Sequence, residues 1–123
     1  MIVKNHIDVS SVLRERVSQS YSNLVTRPTG AAVRMYIEER ILGVDGCAVA
    51  VIDFSHVGMM DFSCADEIVA KLVLNGDVRR PKLVFAGLSE SHIEAIDAVL
   101  ERHGMALVSH EADLNTYVAV VTH

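Results

Sequence analysis

Residues 47–54 read Cys47-Ala48-Val49-Ala50-Val51-Ile52-Asp53-Phe54. The run is apolar at odd and even positions alike, the pattern of a strand buried on both faces, covered by helices or by a helix and a partner. It predicts the central strand of a sheet. Pro81-Lys82-Leu83-Val84-Phe85-Ala86 gives a second such strand and Met105-Ala106-Leu107-Val108-Ser109 a third, each ending near glycine or polar residues. Between the strands lie apolar residues spaced three and four apart. Residues 31–42 carry Val33, Tyr36, Ile37 and Ile41 and stop at Gly43 before an Asp45-Gly46 turn. Residues 64–74 repeat the spacing through Ile68, Val69, Leu72 and Val73, and residues 90–103 through Ile93, Ile96, Val99 and Leu100, ending at Gly104. Strands alternating with such helices predict an α/β domain: a mostly parallel or mixed sheet of about four to five strands, at least three of them parallel and joined by right-handed crossovers.

The ends are less regular. Residues 9–18 read as a helix through Val9, Val12, Leu13 and Val17, leaving Asn23-Leu24-Val25-Thr26 as a short strand before Arg27-Pro28. The β-branched tail Thr116-Tyr117-Val118-Ala119-Val120-Val121-Thr122 favours a last strand, pairing on an edge or with a second copy.

A chain of 123 residues holds one domain, spanning residues 1–123. Half of it is hydrophobic, enough for a core without disulfides or metal, so disorder is excluded. The longest strictly apolar run, Cys47 to Ile52, is six residues, and the first residues lack a signal-peptide pattern, so a membrane span and export are not expected. Eleven Lys and Arg against sixteen Asp and Glu leave a net charge of −5, which disfavours nucleic acid as a partner. Cys47 and Cys64 form neither a redox pair nor half of a zinc finger, and a reducing cytoplasm fits them best.

The densest polar constellation follows the central strand, from Asp53 through Ser55, His56, Met59, Met60, Asp61, Phe62, Ser63 and Cys64 to Asp66 and Glu67. Ser63 falls at a helix start. It reads first as a capping box with Asp66, and compatibly with that as a phosphoacceptor, because the positive end of a helix dipole stabilises a dianion. Cys64 as a nucleophile with His56 as base is the enzymatic reading, although such a cysteine is more often a small buried hydrophobe. Met59 and Met60 read as packing and rim residues, Gly58 as a tight turn, and Arg79, Arg80 and Lys82 as a solvated loop. The six histidines show no ligand spacing, and Gly43-Val44-Asp45-Gly46 lacks the lysine of a phosphate loop, so neither a metal nor a cofactor is expected.

This constellation resembles the signature of the STAS family, the sulfate-transporter and anti-sigma factor antagonist domain. Val51-Ile52-Asp53-Phe54-Ser55 matches a strand ending in Asp, a hydrophobic residue and Ser, and the loop through Met59-Met60 to Asp61 matches the apolar turn that follows. Ser63 falls on the serine that family members phosphorylate, with Phe62 in place of a first serine and Cys64 in place of a glycine. Ser63-Cys64-Ala65-Asp66-Glu67 is closer to a STAS-like subgroup with a Ser-x-Ala-Asp-Glu helix start and an arginine before its first helix, as Arg27 is here. The resemblance implies a non-catalytic docking module. Its partner would be an ATP-binding serine kinase of the anti-sigma type, its switch phosphorylation of Ser63, and its docking surface Asp61, Phe62, Asp66, Met59 and Met60. Two further expectations stand beside this one. The first is a constitutive structural subunit or homodimer, for instance in a transporter complex; the second is a small-molecule or lipid binder with residues 57–60 as one wall.

Overall fold

The computed structural model describes residues 4–75, 80–110 and 113–121. Strand β1 (Lys4–Asp8) leads into helix α1 (Val9–Arg16), then α2 (Arg27–Leu42) and β2 (Val49–Asp53). A helical segment follows in three pieces: α3 (Phe62–Ala65), a π-helical turn (Asp66–Ala70) and α4 (Lys71–Leu74). Strand β3 (Lys82–Ala86), helix α5 (Glu90–Glu101) and strands β4 (Met105–His110) and β5 (Asp113–Val121) complete the chain. The five strands form one mixed sheet in the order β1-β2-β3-β5-β4.

Residues 49–53 and 82–86 are parallel neighbours, as the sequence predicts, with Ile52 opposite Phe85. Residues 105–109 run in the same direction as these two, as expected, but β5 separates them from β3; the further strand hydrogen-bonded in parallel is β1, which pairs with β2 through Ile7 opposite Ile52. Its sequence, Lys4-Asn5-His6-Ile7-Asp8, contributes a single fully buried side chain and therefore carries little apolar signal. β4 sits at the sheet edge and pairs antiparallel with β5, which itself runs antiparallel beside β3. The expected strand at residues 23–26 reduces to one bridge between Leu24 and Met60. α2 begins at Arg27, four residues early, because Pro28 occupies the first helical turn, where its missing N–H costs nothing. Arg80 is not solvated: it donates to the Leu72 carbonyl at 3.0 Å and lies 3.3 Å from Glu38, whereas Arg79 falls outside the described residues.

Ile7, Ile52 and Phe85 lie side by side in register on the face that meets the helices, and Phe54, Ile37, Ile68 and Ile96 close over them. α5 starts with a reciprocal cap: Ser89 Oγ accepts from the His92 amide, and His92 Nδ1 accepts from the Ser89 amide. That bond fixes the tautomer, so Nε2 carries the hydrogen and donates to the Gly58 carbonyl at 2.6 Å, tying the loop after β2 to α5. Among the described residues, no helix is long and apolar enough to cross a membrane.

Candidate functional site

The loop after β2 is pinned from two sides before it enters α3. Ser22 O accepts from the Gly58 amide at 2.8 Å, and Asn23 Oδ1 accepts from the Met59 amide at 2.7 Å. Gly58 has no left-handed backbone to accommodate; a β-carbon there would stand 2.3 Å from Asn23 Oδ1, so close approach and not a turn requires glycine. Met59 and Met60 then point opposite ways. Met59 is 57% exposed, whereas Met60 is 4% exposed and belongs to the core, so it supports a surface from beneath instead of forming one. Val57 is likewise buried in the core.

The residue that caps α3 is Asp61 and not Ser63. Asp61 Oδ1 accepts from the Cys64 amide and from the Ser63 hydroxyl, each at 2.8 Å, while Oδ2 accepts from the Thr26 amide at 3.1 Å. Asp61 has the extended backbone a cap needs and precedes the helix by one residue; Ser63 is already the second helical residue. One carboxylate therefore clasps the start of α3 to the start of α2. Burial pushes the Asp61 carboxyl up, but the Cys64 amide, the Ser63 hydroxyl and the Thr26 amide outweigh it and hold it below the ordinary carboxylate range. Thr26 pays a conformational cost in this clasp, with φ 71° and ψ 142°, a region that side-chain-bearing residues rarely occupy.

Ser63 is half-buried with its hydroxyl turned to Asp61, and Phe62 beside it is 57% exposed. Cys64 is fully buried and its thiol donates to the Thr26 carbonyl at 3.0 Å. Burial, followed by the Asp61 charge, pushes that thiol up to about 12, the opposite of nucleophile activation. His56 is exposed on the loop, so the Cys64–His56 pairing finds no support.

The acids that follow are not free charges. Arg27 Nη1 lies 2.9 Å from Asp66 Oδ2 and 3.1 Å from Glu67 Oε1, Lys71 Nζ reaches Glu67 at 2.6 Å, and Arg34 Nε stands 3.6 Å from Glu67 Oε2. Asp66 is also faced by His103 at 3.6 Å. Burial would raise both carboxyls; for Asp66 the Arg27 hydrogen bond overcomes it, and for Glu67 the Lys71 and Arg27 bonds do, so both sit low. Sequence reasoning placed Arg27 before the helix but did not see that Glu67 is buried at its centre. The available signal was the Glu67–Lys71 spacing of four, which puts both on one helix face. Gly30 lets the two helices meet here: a β-carbon on it would stand 3.0 Å from Glu67 Cβ and 3.1 Å from Cys64 Cα.

The structure thus brings together Met59, Phe62, Ser63 and Asp61, with Asp66 one turn on and engaged by Arg27. Among the described residues, no three His, Cys, Asp or Glu side chains converge as a metal-holding group. Compared with family models, curated proteins and solved structures, the chain matches none.

Proposed function

We propose that the domain is a non-catalytic docking module of STAS type, binding an ATP-dependent serine kinase of the anti-sigma kind through Met59 and Phe62 and released by phosphorylation of Ser63. One observation carries the reading: a half-buried serine in the first turn of α3, its hydroxyl bonded to Asp61, close in sequence to two apolar side chains, Met59 and Phe62, that are more than half exposed.

The switch would act through Asp61 more than through the acids that follow it. Asp66 and Glu67 are neutralised by Arg27, Arg34 and Lys71, so repulsion from them is small. Asp61 is the group that responds. Phosphorylation forms an Oγ–P bond as the terminal P–O bond of ATP breaks and ADP leaves; the hydroxyl proton is lost and with it the donor to Asp61. A group carrying about −1.5 to −2 charges then stands where a 2.8 Å hydrogen bond was. The Asp61 carboxylate must swing away, which releases the Cys64 and Thr26 amides and loosens the start of α2 as well as α3. A covalent change on one side chain thereby redraws the surface formed by Met59 and Phe62.

The test is a pull-down from lysate followed by titration of wild type, Ser63→Ala and Ser63→Glu against the kinase-like protein recovered. Ser63→Ala should bind independently of ATP, and Ser63→Glu should bind at least about tenfold more weakly while staying folded, its melt lowered by no more than that of Asp61→Ala. Equal binding by all three, with no phosphate on Ser63 by mass spectrometry, refutes the switch.

A further inference from the structure

The three crossovers of this fold all step the same way across the sheet: β1 to β2, β2 to β3, and β3 past β5 to β4. Right-handed connections in one direction place every helix on one face. Contacts agree, since α1 meets α2, α2 meets α3, α3 meets α5 and α5 meets β4, forming one continuous layer. Among the described residues, no helix lies over the opposite face. Alternation puts His6, Val51 and Val84 there in a row, continued by Val118 and Val108 through the antiparallel pairs. Val84 is shielded by its strand neighbours yet stands outside the helix-side core, and Val108 and Val120 are 49% and 41% exposed. A strand apolar on both faces, on a sheet covered on only one, lacks half of its burial.

We infer that this face is covered by a second copy of the chain, packed sheet against sheet with the strands of the two copies running in opposite directions. The charges at its ends single out that occupant. Lys4 and Lys82 flank Val49 at the amino ends of the parallel strands, and Asp8 and Asp53 lie side by side at the carboxyl ends. Asp8 also caps α1, and Asp53 is bonded to His6 and Ser55. A two-fold axis lying across the strands sets the lysine end of one copy over the aspartate end of the other while the valines interdigitate between them. The pattern is complementary to itself when reversed. Five strands at about 4.8 Å spacing and about 17 Å of strand length give a face of roughly 400 Å², so the pair would bury roughly 800 Å² in total, below the standard size of a stable interface and in the range of weak, transient ones. The dimer is therefore a dissociable one. It leaves Met59 and Phe62 free, because α3 belongs to the helix layer on the other side.

Sedimentation velocity on the full chain from about 1 to about 500 μM should show a reversible monomer–dimer equilibrium with a Kd in the micromolar range. Val108→Lys, or Val120→Lys if the first unfolds by circular dichroism, should raise Kd by about tenfold or more, since it places an unpaired charge inside an apolar interface. Lys82→Glu should weaken association too, by setting like charges over each other, whereas Phe62→Ala on the other layer should leave it unchanged. A wild-type chain that stays monomeric throughout overturns the inference. So does a dimer indifferent to Val108→Lys and Val120→Lys. Indifference to Lys82→Glu alone overturns the reversed seating of the two copies.

Discussion

Replacing Asp61 by alanine should cost about 1.5 to 3 kcal/mol of stability, a loss large for one half-exposed side chain. A lost helix cap alone is worth about 0.5 to 2 kcal/mol. The same substitution strips the Thr26 amide of its acceptor, and a polar group left without its partner adds about 1 kcal/mol or more. For a domain of this length the net corresponds to a fall in Tm of about 5 to 15 °C. Urea unfolding followed by circular dichroism measures it directly, with Asp61→Asn alongside. Asparagine keeps one carbonyl acceptor, so it should lose less. Acidity supplies an independent check. The folded-state pKa of Asp61 is depressed, so its contribution is complete above the unfolded value near 4 and disappears as pH falls through the folded value. The stability gap between wild type and Asp61→Asn should therefore be full above about pH 5 and narrow steadily as the solution is taken below about pH 4 toward the folded value. An unchanged urea midpoint for Asp61→Ala, or a gap that persists in acid, refutes the clasp.

Glu67→Ala should be more damaging than Asp66→Ala, by about 1 to 2 kcal/mol, because it empties a buried position faced by Arg34, Arg27 and Lys71, although Arg34 keeps Glu38 at 3.3 Å and Lys71 reaches water, while Asp66 gives up only a partly exposed pair; thermal melts of the two variants decide. Thiol titration at about pH 8 should find the half-buried Cys47 reactive in the folded protein and Cys64 silent until urea is added, since Cys64 is fully buried with its thiol pushed up to about 12; two equally fast thiols would contradict that burial.

The elements that announced themselves in the sequence are those whose apolar pattern is made by their own burial. β2 and β3 carry two-sided apolar runs, and α5 carries Ile96, Val99 and Leu100 on one stripe ended by Gly104, whose φ of 68° suits glycine. β1 was silent because an edge strand needs only Ile7 inside. β4 keeps the direction of β3, as its place after a crossover helix implies, but nothing in a strand's composition tells which neighbour it will have, and the return of β5 between β3 and β4 is a property of the whole sheet. At the site, Ser63 was found at the helix start, but its role as cap belongs to Asp61, two residues earlier. Serine and aspartate cap equally well, so composition alone could not choose between them. Helix α2 beside it could not be foreseen to deliver the Thr26 amide and the Arg27 guanidinium to that same turn, because those contacts span 35 and 39 residues of chain.

The wide turn at Asp66–Ala70 holds one residue more than an α-helix of the same rise would. Since each residue advances a helix by about 100°, the extra one shifts the phase of everything after it by that angle. Glu67, Ile68, Val69 and Ala70 are all buried across this turn, which packs against both α2 and α5, and Leu72 still comes round to the core. The turn acts as a stored residue. Removing one position from it would leave an unbroken helix, but with Lys71 and Leu72 rotated away from the partners they now meet, so the length of this stretch, as much as its composition, sets where the Glu67 cluster stands relative to α2.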